Sequence, residues 1–121
     1  TDPIPGNPEK RVLQQVAIGD NQVSTLGAQF LARGHGAVLL DDAVRGAWDL
    51  EQVAGPTTRS VLAEYEYGIE EPFINIPPSE PDPHEWPRRE RSGQDQIAHF
   101  FETGEILSFC DGPCGDAERG R

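Results

Sequence analysis

Between residues 77 and 87 the chain reads Pro-Pro-Ser-Glu-Pro-Asp-Pro-His-Glu-Trp-Pro, five prolines in eleven positions. A proline lacks the amide donor that a helix interior or a central strand requires, and its φ is fixed. The stretch is therefore expected to be an extended, polyproline-like crossing held by Trp86. Its prolines lower the entropy cost of keeping it in place. Regular structure must lie on either side of it.

On the amino-terminal side, Thr1 to Gly6 form an extended arm, because Pro3 and Pro5 block regular structure. Asn7-Pro8-Glu9 reads as a helix start, with Val12, Leu13, Val16 and Ala17 at helical spacing and Gly19 as the stop. A second helix carries Val23, Leu26, Phe30 and Leu31 on one face and ends near Gly34. Ala37-Val38-Leu39-Leu40 is a short buried strand, and residues 43–53 lean to a short helix. After the break at Gly55-Pro56, Val61 to Tyr67 alternate as a strand, with Tyr65 and Tyr67 on one face and Glu64 and Glu66 on the other. Gly68 to Pro72 would turn the chain into a second strand at Phe73–Ile76, making a hairpin.

Beyond the proline stretch, Ser92 begins a helix with Asp95 three residues on, Ile97, Ala98, Phe100 and Phe101 as its apolar side, and Thr103-Gly104 as its end. Glu105 to Cys110 read as a last strand, and the Gly- and charge-rich tail 111–121 is expected to fray. The predicted fold class is α+β: N-terminal helices followed by a small, mostly antiparallel sheet packed against a C-terminal helix. It forms one domain over 7–110.

Leu, Ile, Val and Phe number 27 of 121 residues, so the core is thin. No apolar run is long enough to span a membrane. There is no basic-then-apolar amino terminus of the secretory kind, and a cytoplasmic location is expected. The formal net charge is −11, which argues against binding a phosphate backbone directly. The excess is local: residues 61–87 hold seven acids (Glu64, Glu66, Glu70, Glu71, Glu80, Asp82 and Glu85) and no Lys or Arg.

Chemistry-bearing groups are sparse. Cys110 and Cys114 form a C-x3-C pair open to three readings: two unrelated thiols, a small-loop disulfide, or thiolates joined by His84 and His99 around zinc. No metal or other cofactor is expected. His99 has Asp95 and Glu102 as helix-surface neighbours, an arrangement that orients a general base, and Cys110 could return beside it as a nucleophile. His35 stands between two glycines, and Asp41-Asp42 lack the further spaced oxygens of a calcium loop. Common nucleotide-binding and hydrolase signatures are absent.

The expected function is that of a small acidic, non-catalytic interaction protein, such as an inhibitor, an immunity- or antitoxin-like protein or an accessory subunit. It would dock a basic protein partner through Glu64, Tyr65, Glu66, Tyr67, Glu70, Glu71, Asp82, Glu85 and Trp86, charge steering the encounter and ring area holding it. The alternative is a small enzyme or metal-binding protein using His84, His99 and Cys110. A third origin of the acidity is adaptation to high salt, with no partner at all. The oligomeric state stays open.

Overall fold

The computed structural model describes residues 4–71, 74 and 81–120. Its order is β1 (Leu13–Ala17), α1 (Thr25–Gly34), β2 (Val38–Leu40), β3 (Gln52–Val53), β4 (Val61–Tyr65) and α2 (Arg91–Thr103), with 3₁₀ turns at Pro83–Glu85 and Pro87–Arg89 before α2. The strands form one sheet in the order β1-β4-β2-β3, and every pairing is parallel. The molecule is thus a small single-domain α/β fold, in which the first helix follows the first strand.

This corrects the expected α+β layout of N-terminal helices followed by an antiparallel sheet. The apolar pairs Val12-Leu13 and Val16-Ala17 satisfy a helical period, but they equally suit a strand buried on both faces. The second use wins: Leu13 and Ala17 pack with Tyr65 and Ile106 on one face, while Val16 packs with Ala28 and Leu62 on the other. β4 is buried along its whole length because it lies between β1 and β2. Both of its neighbours are parallel strands; the second hairpin strand expected at Phe73–Ile76 lies outside the described residues apart from Ile74, which is exposed.

Other expectations shift in smaller ways. Residues 43–53 hold turns closed by Ala43 N–H to Leu40 O and Leu50 N–H to Ala47 O, and then β3 in place of a helix. Among the described residues, 105–110 contribute one isolated antiparallel bridge, Ile106 to Thr57, and no strand. The described part of the proline stretch folds into the two 3₁₀ turns, where Pro83 and Pro87 occupy first-turn positions that need no amide donor. α2 appears as expected and ends at Gly104, whose φ is 75°, although Glu90 and not Ser92 stands at its N-cap.

Helix α1 is present, but it buries the opposite face from the one its bulky residues suggest. Ser24 Oγ accepts from Gly27 N–H at 3.1 Å and caps the helix. Thr25, Ala28 and Ala32 lie against the sheet, their small side chains allowing close approach. Val23, Leu26, Phe30 and Leu31 point outward, and the Arg33 guanidinium sits over the rings of Phe30 and Trp48.

The opposite face of the sheet is covered by α2 and by the segment after it. Residues 112–120, expected to fray, run along the end of β4: Glu66 N–H donates to Cys114 O at 2.8 Å and Gly120 N–H to Tyr67 O at 2.9 Å. Arg119 pairs with Glu90 and stacks over Trp86. Gly115 makes this approach possible, since its φ is +103° and a Cβ there would collide with the Glu66 carbonyl oxygen. Gly115→Ala is expected to cost about 2–3 kcal/mol in a urea unfolding experiment, whereas a frayed tail would show no change.

Candidate functional site

The strongest constellation forms where β1 ends. After Ala17 the chain turns through Ile18 and Gly19, and Asp20 is left 5% exposed. Asp20 Oδ1 accepts from Gln22 N–H at 2.7 Å and from Val23 N–H at 2.9 Å, which fixes the carboxylate plane. Its other oxygen, Oδ2, lies 2.8 Å from His84 Nδ1. His84 is held by the first 3₁₀ turn, whose start is capped by Asp82: Oδ1 accepts from His84 N–H at 3.2 Å, and Oδ2 accepts from Gln22 Nε2 at 2.9 Å. Two segments sixty residues apart in sequence are thereby latched by carboxylates at both ends of the contact.

Asp20 and His84 line a cleft of about 300 Å³ between β1, α1 and the 3₁₀ turns. Its apolar wall includes Ala17, Val23 and Leu31, and Arg88 also lines it. The outward placement of Val23, just before α1, and of Leu31 on it, unexplained by packing alone, is what supplies that wall. The His84 ring is about a quarter exposed, and its Nε2 has no hydrogen-bond partner among the described residues. With Nδ1 donating to a buried carboxylate, Nε2 is the ring nitrogen left as an acceptor. The chemistry available is proton abstraction from a water or a substrate hydroxyl.

The residues singled out for docking do not share one surface. Glu64, Tyr65 and Tyr67 are fully buried. Glu64 accepts from Gln29 Nε2 at 2.9 Å beneath α1, and Arg45 Nε approaches only to 3.7 Å without a hydrogen bond. Arg45 is instead committed to Glu71 at 2.9 Å. Burial outweighs these partners and pushes the Glu64 carboxyl above its ordinary range. A carboxyl raised in the folded state takes up its proton before the unfolded chain does, so stability grows as pH falls through the folded value and levels off below the unfolded one. Wild type should gain on Glu64→Gln in unfolding midpoint as the pH is lowered from neutrality; a difference independent of pH contradicts the buried placement.

Of the rest, Glu66 accepts from Gly68 N–H, Glu70 is exposed, Asp82 caps the 3₁₀ turn, and Glu85 pairs with Arg88 and Arg89. Trp86 is half-buried, edge-on to Tyr67 at 5.0 Å between centroids. Phe73 lies outside the described residues.

The alternative trio is not brought together. His84 is in the cleft, while His99 lies on α2 with its ring edge against Phe109 and Glu105 3.9 Å away. Asp95, expected beside His99, pairs with Arg91. Cys110 is bonded to Cys114, so its sulfur is not a free nucleophile beside His99. Ligand atoms of Asp42, Cys110 and Cys114 lie within 4.8 Å of one another, yet two of these atoms are the bonded sulfurs, which cannot act as thiolate ligands. His35 Nε2 sits 3.4 Å from Gln14 Oε1.

Sequence reasoning missed Asp20 altogether. Its signal was available: it follows an apolar run by one glycine, the position at which a parallel strand delivers its side chains to a ligand. Reading a helix across 7–19 concealed that strand end. No helix among the described residues is long and apolar enough to cross a membrane. Comparison with protein-family models, with curated proteins and with solved structures finds no match to this chain.

Proposed function

We propose that the protein is a small acid–base enzyme in which His84, oriented by Asp20, removes a proton from a water or hydroxyl bound in the cleft. The observation that carries this reading is the 2.8 Å contact between a buried carboxylate and the Nδ1 of a partly exposed imidazole, both lining one cleft of about 300 Å³. A buried carboxylate bonded to one imidazole nitrogen is the means by which hydrolytic and transfer sites fix a base. No serine or cysteine is hydrogen-bonded to His84 among the described residues, so the base would act on water or on the substrate directly. Cleft size and lining favour a small substrate with an apolar portion against Ala17, Val23 and Leu31 and a polar group within reach of Arg88. Hydrolysis of a small ester is the reaction that this set serves best.

Docking of a basic partner through the 64–87 stretch receives less support, because two of its rings and one of its acids lie in the core. The enzymatic reading is tested by measuring turnover on a panel of short-chain carboxylic and phosphoric esters with wild type and His84→Gln. The substitution is expected to lower the rate by about 100-fold or more. Equal rates for the two proteins, or no turnover by wild type above the variant on any ester, contradict it.

A further inference from the structure

A second group of reactive side chains stands apart from the cleft, where the loop after β2 meets the segment after α2. Cys110 and Cys114 are bonded across the Asp111-Gly112-Pro113 loop, whose three residues are all exposed. The two cysteines differ in exposure: Cys110 is partly exposed, and Cys114 is only 2% exposed. Asp42 reaches the inner sulfur, its Oδ2 lying 3.1 Å from Cys114 Sγ, while its Oδ1 is buried with no hydrogen-bond partner among the described residues. Ser108 Oγ completes the shell, 3.7 Å from Cys114 Sγ and accepting from Cys110 N–H at 3.1 Å.

A bridge that only staples a loop has no use for a half-buried carboxyl against one sulfur, and leaving its buried Oδ1 without a partner is costly. Thiol–disulfide exchange does use such a carboxyl. It needs an outer sulfur open to in-line attack and an inner sulfur that leaves as a thiolate and must be protonated. We propose that Cys110–Cys114 is an exchangeable redox pair, with Cys110 the attacked sulfur, Cys114 the leaving sulfur and Asp42 its proton donor, acting on dithiol substrates.

A thiolate of the substrate dithiol attacks Cys110 Sγ, the Cys110–Cys114 bond breaks, and the Cys114 thiolate takes the proton of the Asp42 carboxyl. The second substrate thiol, losing its proton to the Asp42 carboxylate or to water, attacks the substrate sulfur of the mixed disulfide. Cys110 departs as a thiolate and takes a proton from solvent. Two electrons and two protons pass from the substrate, which leaves as a disulfide, to the protein, which becomes a dithiol. Burial raises the Asp42 carboxyl, aided by neighbouring Asp41, so it keeps its proton to higher pH than an ordinary carboxyl. The buried Tyr65 phenol is the other titratable group coupled to it electrostatically.

The test uses the full chain, with dithiothreitol as the dithiol and alkylation mass shift as the readout. The native protein should be reduced without denaturant; a bridge that opens only in denaturant overturns the proposal. Asp42→Asn should slow reduction by about tenfold or more. That gap should be widest at low pH and close as pH rises through the raised value; identical rates and pH profiles overturn the role of Asp42. The single-cysteine variants keep the question open to refutation whatever Asp42→Asn does to folding. With an aromatic disulfide reagent, Cys114→Ser should label at Cys110 about 100-fold faster than Cys110→Ser labels at Cys114, and equal or reversed reactivity overturns the assignment of the two sulfurs.

Discussion

Tyr67→Ala is expected to destabilise the protein by about 3–5 kcal/mol, the usual cost of deleting a buried ring. Tyr67 is 0% exposed, packs in the cluster of Tyr65, Val38 and Ile106, and meets Trp86 edge-on. The carboxyl-terminal segment also rests here: Gly120 N–H donates to the Tyr67 backbone carbonyl, and Arg119 lies 5.9 Å from the ring centroid. The hydroxyl behaves differently, being buried without a partner among the described residues. Tyr67→Phe removes only that unsatisfied group, so it should be neutral or stabilising by up to about 1 kcal/mol. Urea unfolding of the two variants checks both values. A loss below about 1 kcal/mol for Tyr67→Ala places the ring at the surface, where the docking reading had it, and contradicts the core described above.

Asp20→Asn is expected to lower turnover about as severely as His84→Gln, by roughly 100-fold or more, while leaving the fold intact. The reason lies in the two backbone amides that bond Asp20 Oδ1. They hold one oxygen in place, so an asparagine must put its carbonyl oxygen there and present its NH₂ to His84. The ring nitrogen Nδ1 must then accept where it previously donated, and the proton moves to Nε2. The base is lost through the wrong tautomer and not through a missing side chain. Kinetics on an ester turned over by wild type, with far-UV circular dichroism as the control for folding, measure this. An Asp20→Asn enzyme of wild-type activity would mean that Asp20 serves only as a turn residue.

Much of the element content was legible in the residues, and the topology was not. The Val38–Leu40 and Val61–Tyr65 strands, the α2 helix and its Gly104 stop follow from short-range chemistry that tertiary packing did not override. The N-terminal error came from residues 12–17, where doubled apolar pairs serve a helix stripe and a two-faced strand equally well. Once that strand was missed, the parallel sheet could not be assembled, because β4 needs β1 and β2 on its two sides.

The face of α1 was misassigned for a related reason. Hydrophobicity marks a stripe, but a stripe of Thr25, Ala28 and Ala32 packs closer to a sheet than one of Leu26 and Phe30. The acidic bias of 61–87 was read as one surface, yet parallel pairing sinks Glu64 under α1, and the 3₁₀ turns set Asp82 and Glu85 to capping and pairing tasks. The Asp20–His84 pair was invisible for want of long-range information: the residues are 64 apart, and only the closure of the 3₁₀ segment over the end of β1 unites them.

The most direct measurement is a nitrogen-15 correlation spectrum of the histidine rings, taken where His84 is neutral. His84 is expected to carry its proton on Nδ1, with Nε2 unprotonated, and Asp20→Asn is expected to move the proton to Nε2. A wild-type His84 protonated on Nε2, or one whose tautomer ignores the substitution, contradicts this assignment.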